Sequence, residues 1–154
     1  MEKIASFTVD HTTLKEGMYL SRQDGDIVTY DLRFCRPNSG RLLSNASIHT
    51  IEHLFATYVR NSKHSAHVIY FGPMGCRTGF YFIVRDMPKE DAISLTKETL
   101  RFIAEYEGEV PGCSAKECGN YLEHDLPEAK TDCARMAEAM KQWRPERLLY
   151  GGEE

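Results

Sequence analysis

Apolar residues follow two different rhythms along this chain. Ile27, Val28, Tyr30, Leu32 and Phe34 alternate for the most part with polar positions, behind the turn-forming run Gln23-Asp24-Gly25-Asp26. Alternation puts every second side chain on one face of a strand, so residues 18–35 predict a hairpin. Arg36-Pro37-Asn38-Ser39-Gly40 then breaks the pattern. Over 46–61 the period lengthens, and Ile51, Leu54, Phe55, Tyr58 and Val59 gather on one face of a predicted helix that packs on the sheet. His67–Phe71 and Thr78–Arg85 predict two more strands, separated by the turn Gly72-Pro73-Met74-Gly75-Cys76. Pro88 opens a second helix reaching to about Tyr106, with Ile93, Leu95, Leu100, Phe102 and Ile103 among its apolar positions and Gly108 as its stop. A loop rich in Gly, Pro and Cys follows. Leu126-Pro127-Glu128 starts a last helix running through Ala134, Ala137 and Met140 toward Trp143, and Gly151 to Glu154 read as a loose tail. No repeat, linker or low-complexity tract divides the chain. The order predicts an α+β fold, an antiparallel sheet packed against helices, as a single domain over residues 1–154.

Charge and composition narrow the partners. With 19 Lys+Arg against 23 Asp+Glu the net charge is -4, without the basic excess that nucleic-acid binding by counterion release calls for. A small-molecule partner fits better. No apolar run approaches the roughly 18 to 20 residues of a membrane span, and the amino terminus lacks a basic segment followed by an apolar signal core. The expected compartment is the cytoplasm. The five cysteines are odd in number and form no Cys-x-x-Cys pair, so neither a disulfide framework nor a zinc knuckle is indicated. Cys35 and Cys133 read as buried small apolar residues.

The helix over 46–61 changes the picture. Opposite its apolar face it carries His49, Glu52, His53, Ala56 and Arg60. His49 and His53 stand one turn apart, where both imidazoles can reach a single metal ion, and Glu52 beside them is placed to carry protons. A solvated polar face is the usual explanation of a bare His-x-x-x-His. The intervening glutamate turns the run into His-x-x-Glu-His, the inverted-zincin arrangement, and favours a metal site. Such a site needs a third protein ligand. Cys118, in the Glu117-Cys118-Gly119 turn, is a candidate thiolate donor and Cys113 its local competitor; spacing alone leaves both open. Cys76 sits in the glycine-rich entry to a strand, where a side chain is presented at a pocket edge and neighbouring Arg77 would favour a thiolate. A structural cysteine in a turn is the even alternative.

Taken together, Ser6-Phe7-Thr8-Val9-Asp10-His11, Asp31-Leu32-Arg33-Phe34-Cys35-Arg36-Pro37-Asn38, His49-Thr50-Ile51-Glu52-His53, Pro73-Met74-Gly75-Cys76-Arg77-Thr78-Gly79-Phe80-Tyr81, Cys118-Gly119-Asn120 and His124-Asp125-Leu126 closely resemble the S-ribosylhomocysteine lyases of the LuxS family. The match runs in order through most of the chain. The resemblance implies a homodimer, related in fold to inverted-zincin peptidases, that splits S-ribosylhomocysteine into homocysteine and 4,5-dihydroxy-2,3-pentanedione, the autoinducer-2 precursor. It also implies His49, His53 and Cys118 as metal ligands, Cys76 and Glu52 as proton carriers, and Ser6, His11, Arg33 and Arg60 as substrate-binding residues. Ser6, His11 and Arg33 of one chain would complete the pocket whose metal lies in the other. One divalent metal per chain is implied, ferrous iron replaceable by zinc or cobalt, with no organic cofactor. The carbonyl would migrate along the ribose from C1 to C3 before homocysteine leaves by β-elimination, with the metal as Lewis acid.

One segment departs from the family pattern. Tyr70-Phe71-Gly72 stands where an Asp-Ile-Ser-like run is common, near the amino-acid end of the substrate. The departure bears on homocysteine recognition and leaves the reaction class intact. Two other readings are a small inverted-zincin-like metallopeptidase, against which a cysteine third ligand argues, and a non-catalytic metal-binding module with a closed site.

Overall fold

The computed structural model describes residues 1–151. Strands β1 (Gly17–Asp24) and β2 (Ile27–Arg33) form the expected hairpin, with Gly17 opposite Arg33 and Asp24 opposite Ile27. Gly25, at φ +65°, opens its two-residue turn in a conformation that other residues adopt at a cost. β4 (Gly79–Arg85) pairs along the whole of β2, and β3 (Val68–Pro73) pairs with β4. The sheet order is β1-β2-β4-β3, antiparallel throughout.

Alternation decides what each face carries. Val28, Tyr30 and Leu32 of β2 lie opposite Val84, Phe82 and Phe80 of β4, and all six are buried. This is the core face. Helix α1 (Asn45–Arg60) packs against β3, α2 (Lys89–Ala104) and α3 (Leu126–Ala139), and Phe55 of α1 stacks on Phe71 of β3 with centroids 3.9 Å apart. The intervening residues Asp31, Arg33 and Tyr81 belong to the sheet's other face.

The structure refines several details of the sequence reading, and Gly72 and Pro73, expected in the turn, belong to β3. α2 ends at Ala104, short of Tyr106 and Gly108, with Glu105 as its cap residue. Tyr106 leaves the helix to bond its hydroxyl to the Glu109 carbonyl at 2.5 Å. Phe102 of α2 is 37% exposed and packs on Tyr58 and Tyr106 at the helix surface. α3 stops at Ala139, and Trp143 lies beyond it, donating its indole N–H to the Met18 carbonyl at 2.7 Å. Of the expected tail, Gly151 lies in a turn and residues 152–154 fall outside the described residues. Among the described residues no helix is long and apolar enough to cross a membrane.

Candidate functional site

α1 starts where Ser44 accepts the amide N–H of Ser47 at 3.1 Å, which satisfies one of the helix's free amino-terminal donors. Winding from that cap puts Ile51, Leu54, Phe55 and Val59 inward, and leaves His49, Glu52, His53 and Ala56 half-buried on the other side. The two imidazole rings stand 4.5 Å apart. Nδ1 of His49 lies 2.8 Å from the Glu123 carbonyl, and Nδ1 of His53 lies 2.7 Å from the Pro111 carbonyl. A carbonyl only accepts, so each Nδ1 carries the proton and each Nε2 keeps its lone pair. Cys118 Sγ stands 3.3 Å from His49 Nε2, and the three potential ligand atoms of His49, His53 and Cys118 all lie within 4.8 Å of one another.

This donor set fits a metal ion. Tetrahedral coordination at ordinary zinc–sulfur and zinc–nitrogen lengths separates a thiolate from an imidazole nitrogen by roughly 3.5 Å. Three ligands leave one tetrahedral position for water or substrate, as catalytic sites require. Of the two cysteines left open, Cys118 is the one that joins the group of potential ligands, while the Cys113 thiol bonds the Tyr121 carbonyl at 3.4 Å. Cys35 and Cys133 are buried, as expected, and burial pushes both thiols up from their ordinary range.

The loop between α2 and α3 therefore supplies the third potential ligand and the two carbonyls that orient the histidines. It approaches α1 closely at Gly112, where φ is +70° and a Cβ would stand 3.3 Å from His53 Nδ1. It also brings in His124, which sequence reasoning passed over as a family-matching residue without a role. The His124 ring stacks on His49 at 4.0 Å, and its Nδ1 meets the Thr50 hydroxyl at 2.9 Å. Burial, then the neighbouring His49 and His53, push its imidazole down to about 4. It is thus neutral at physiological pH. Thr50 also accepts the Asp125 amide N–H at 3.0 Å, which fastens this end of the loop to the ligand-bearing helix.

Further along α1, Glu52, His53, Ala56, Thr57 and Arg60 form one wall of a cleft of about 420 Å³, faced by Tyr70 and Phe71. Its size suits a small ligand. Arg60 is exposed, and its Nη2 donates to the Ile69 carbonyl at 2.8 Å, which ties the guanidinium to β3. In the departing segment a Cβ on Gly72 would fall 2.4 Å from the Tyr70 ring, so Gly72 leaves room for that exposed ring to lie along the strand. A larger hollow of about 500 Å³ lies elsewhere, between the segment from Thr8 to Glu16 and Trp143, Arg147 and Tyr150, and none of the expected site residues lines it.

Cys76 is exposed, with Sγ 3.0 Å from Thr78 Oγ1. The cation facing it is Arg33, whose Nη1 donates to Thr78 Oγ1 at 2.9 Å and lies 3.9 Å from Cys76 Sγ. Arg77, expected in that position, instead directs Nε to the Leu43 carbonyl at 3.1 Å. The Leu43 amide returns a bond to the Arg77 carbonyl at 2.9 Å. Leu43 immediately precedes the α1 cap, so this exchange holds the Cys76 turn at the end of α1 that carries His49. Ser6 lies beside Tyr81, a phenol pushed up by burial and by Asp31. His11 Nδ1 is 2.9 Å from the Val9 carbonyl. Among the described residues no hydrogen bond joins Ser6 or His11 to the metal-ligand group.

Residues 4–147 match the model of the S-ribosylhomocysteinase (LuxS) family. The chain is 47% identical over 156 residues to an S-ribosylhomocysteine lyase of Clostridium acetobutylicum, covering 97% of this chain and 99% of that protein. It is 54% identical over 136 residues to the S-ribosylhomocysteine lyase of Clostridium beijerinckii, covering 84% and 86%. A third relative, from Phocaeicola vulgatus and of the same name, is 46% identical over 161 residues with both chains fully covered.

Proposed function

The chain belongs to the S-ribosylhomocysteinase (LuxS) family, and from that membership together with the His49–His53–Cys118 group we infer that it is an S-ribosylhomocysteine lyase. It cleaves a carbon–sulfur bond, yielding homocysteine and 4,5-dihydroxy-2,3-pentanedione. The observation that supports the reading most directly is the ligand group itself, with His53 and neighbouring Glu52 lining the cleft.

His49, His53 and Cys118 would hold one divalent metal, ferrous iron by family resemblance, with zinc or cobalt as substitutes. When bound, such an ion supplies Lewis-acid polarisation of the sugar oxygens. The remaining work falls to side chains. Cys76 removes and returns carbon-bound protons as the carbonyl moves from C1 to C3, and Arg33 and Thr78 fix its sulfur. Glu52, one residue before His53, passes protons between the sugar oxygens. Loss of the C4 proton with the ketone at C3 then expels homocysteine thiolate. Arg60 lies seven residues beyond His53, roughly 10 Å along the helix at ~1.5 Å per residue, where the guanidinium suits the homocysteine carboxylate. Ser6 and His11 help hold the substrate.

The functional unit is a single catalytic domain over residues 1–154, working in the cytoplasm as a homodimer with composite sites. Ile4 and Phe7 flank Ser6 and stand 59% and 68% exposed, apolar surface that a partner chain would cover. Incubating protein loaded anaerobically with Fe2+ with S-ribosylhomocysteine, and following free thiol, tests the activity. Thiol should appear in step with the diketone and cease when a chelator strips the metal. Absence of thiol from fully loaded protein would overturn the assignment.

A further inference from the structure

The sheet face turned away from the helices carries a buried ion pair that alternation alone would assign to solvent. Asp31 is 1% exposed and Arg33 3%. Both carboxylate oxygens are engaged: Arg33 Nε donates to Oδ1 at 3.1 Å and Nη2 to Oδ2 at 2.7 Å. A third donor comes from the far end of the chain. The Tyr150 hydroxyl donates to Asp31 Oδ2 at 2.6 Å, and its ring stacks on Tyr19, the strand neighbour of Asp31, at 5.1 Å and 13°. The segment is anchored upstream by the Trp143 indole on Met18 and by Arg147 lying 3.9 Å above the Trp143 ring.

Arg33 is therefore shared. Two of its nitrogens serve Asp31, and the third faces Thr78 and Cys76. We propose that Tyr150 is a positioning residue, whose hydroxyl bond to Asp31 sets how fully the Arg33 guanidinium serves the Cys76 sulfur. The proposal rests on the reading of Cys76 as proton carrier. A phenol O–H drains charge from the carboxylate it binds. Without it, Asp31 holds the guanidinium more tightly and presents a fuller negative charge near the sulfur. Both effects disfavour a thiolate at Cys76, so they add. Burial and the Asp31 charge push the Tyr150 phenol far up from its ordinary range, so the hydroxyl stays protonated as the donor.

Tyr150→Phe removes one oxygen and keeps the ring on Tyr19. Carboxamidomethylation of Cys76 by iodoacetamide near neutral pH, read by peptide mass spectrometry, should slow roughly three- to tenfold, the size of one coupled contact. Alkylation of the exposed Cys113 in the same sample should stay constant. Turnover of S-ribosylhomocysteine should fall through kcat with KM little changed, and the unfolding temperature should remain near the parent's. In an Asp31→Asn background, Tyr150→Phe should add no further slowing, because the carboxylate through which it acts is gone. An unchanged Cys76 alkylation rate in the single variant, or an equal slowing in both backgrounds, overturns the proposal. The alkylation readout needs no substrate, so failure of the lyase assignment would be seen separately, as lack of turnover in the parent.

Discussion

Cys76 and Cys118 are both reachable thiols, yet their neighbours differ in a way that matches the two different roles proposed for them. Cys118 faces an imidazole nitrogen and accepts the Asn120 amide N–H at 3.4 Å, the surroundings of a ligand held in place. Cys76 faces a hydroxyl and a guanidinium, which suit the proposed role of a sulfur that exchanges protons. Substitution should separate the roles. Cys118→Ala should lose its metal on dialysis, whereas Cys76→Ala and Glu52→Gln should each retain one metal per chain and lose turnover by a hundredfold or more, on the order of a general acid/base contribution. Elemental analysis beside thiol release measures both quantities. A Cys76→Ala protein that released homocysteine at the parent rate would return Cys76 to a structural role.

At the scale of elements, the β2–β4 ladder transmits backbone precision to that sulfur. Gly79 lies opposite Arg33, and a Cβ there would fall 2.3 Å from the Leu32 carbonyl oxygen and 3.1 Å from the Arg33 Cα. Neither neighbour is a flexible side-chain end, so the strands must separate. Gly79→Ala should destabilise the fold by about 1–3 kcal/mol, as overpacking does, and should slow Cys76 alkylation by displacing Arg33 and Thr78. Denaturant unfolding and the same alkylation assay check the two effects, and an unchanged midpoint would contradict the clash. The helical periodicity of α1 made both its core face and its candidate metal-binding face legible in the sequence, because the paired histidines and the apolar residues repeat with one period. The even-numbered residues of β2 were legible for the same reason. Asp31 and Arg33 were not: polar residues at alternate positions point to solvent unless something covers them, and the covering Tyr150 lies 119 residues away. The carbonyls of Pro111 and Glu123 were equally hidden, since a backbone oxygen leaves no trace in residue identity.

The whole molecule raises the question of which groups travel together into each pocket of the proposed homodimer. Arg33 touches Cys76 of its own chain, and the paired backbone of Leu43 and Arg77 holds the Cys76 turn at the start of the same chain's α1. Arg33 and Cys76 would then enter one pocket as a unit, so Arg33 would not cross without Cys76, a revision of the expectation that grouped it with Ser6 and His11. Ser6 and His11 belong to the amino-terminal segment and remain the candidates for crossing to a partner. Mixed-chain experiments distinguish these arrangements because a twofold dimer has two equivalent pockets. In a heterodimer of His11→Ala and His53→Ala chains, one pocket carries both defects and the other combines an intact metal site with an intact His11. Unfolding and refolding the two inactive proteins together should thus restore about a quarter of parental turnover, if chains pair at random. Arg33→Ala with Cys76→Ala should restore none, since each pocket keeps one defect of the same unit. Sedimentation measures the dimer and thiol release measures the recovery. A monomer with full turnover, or no recovery from the His11→Ala and His53→Ala pair, would place the whole catalytic apparatus within one chain.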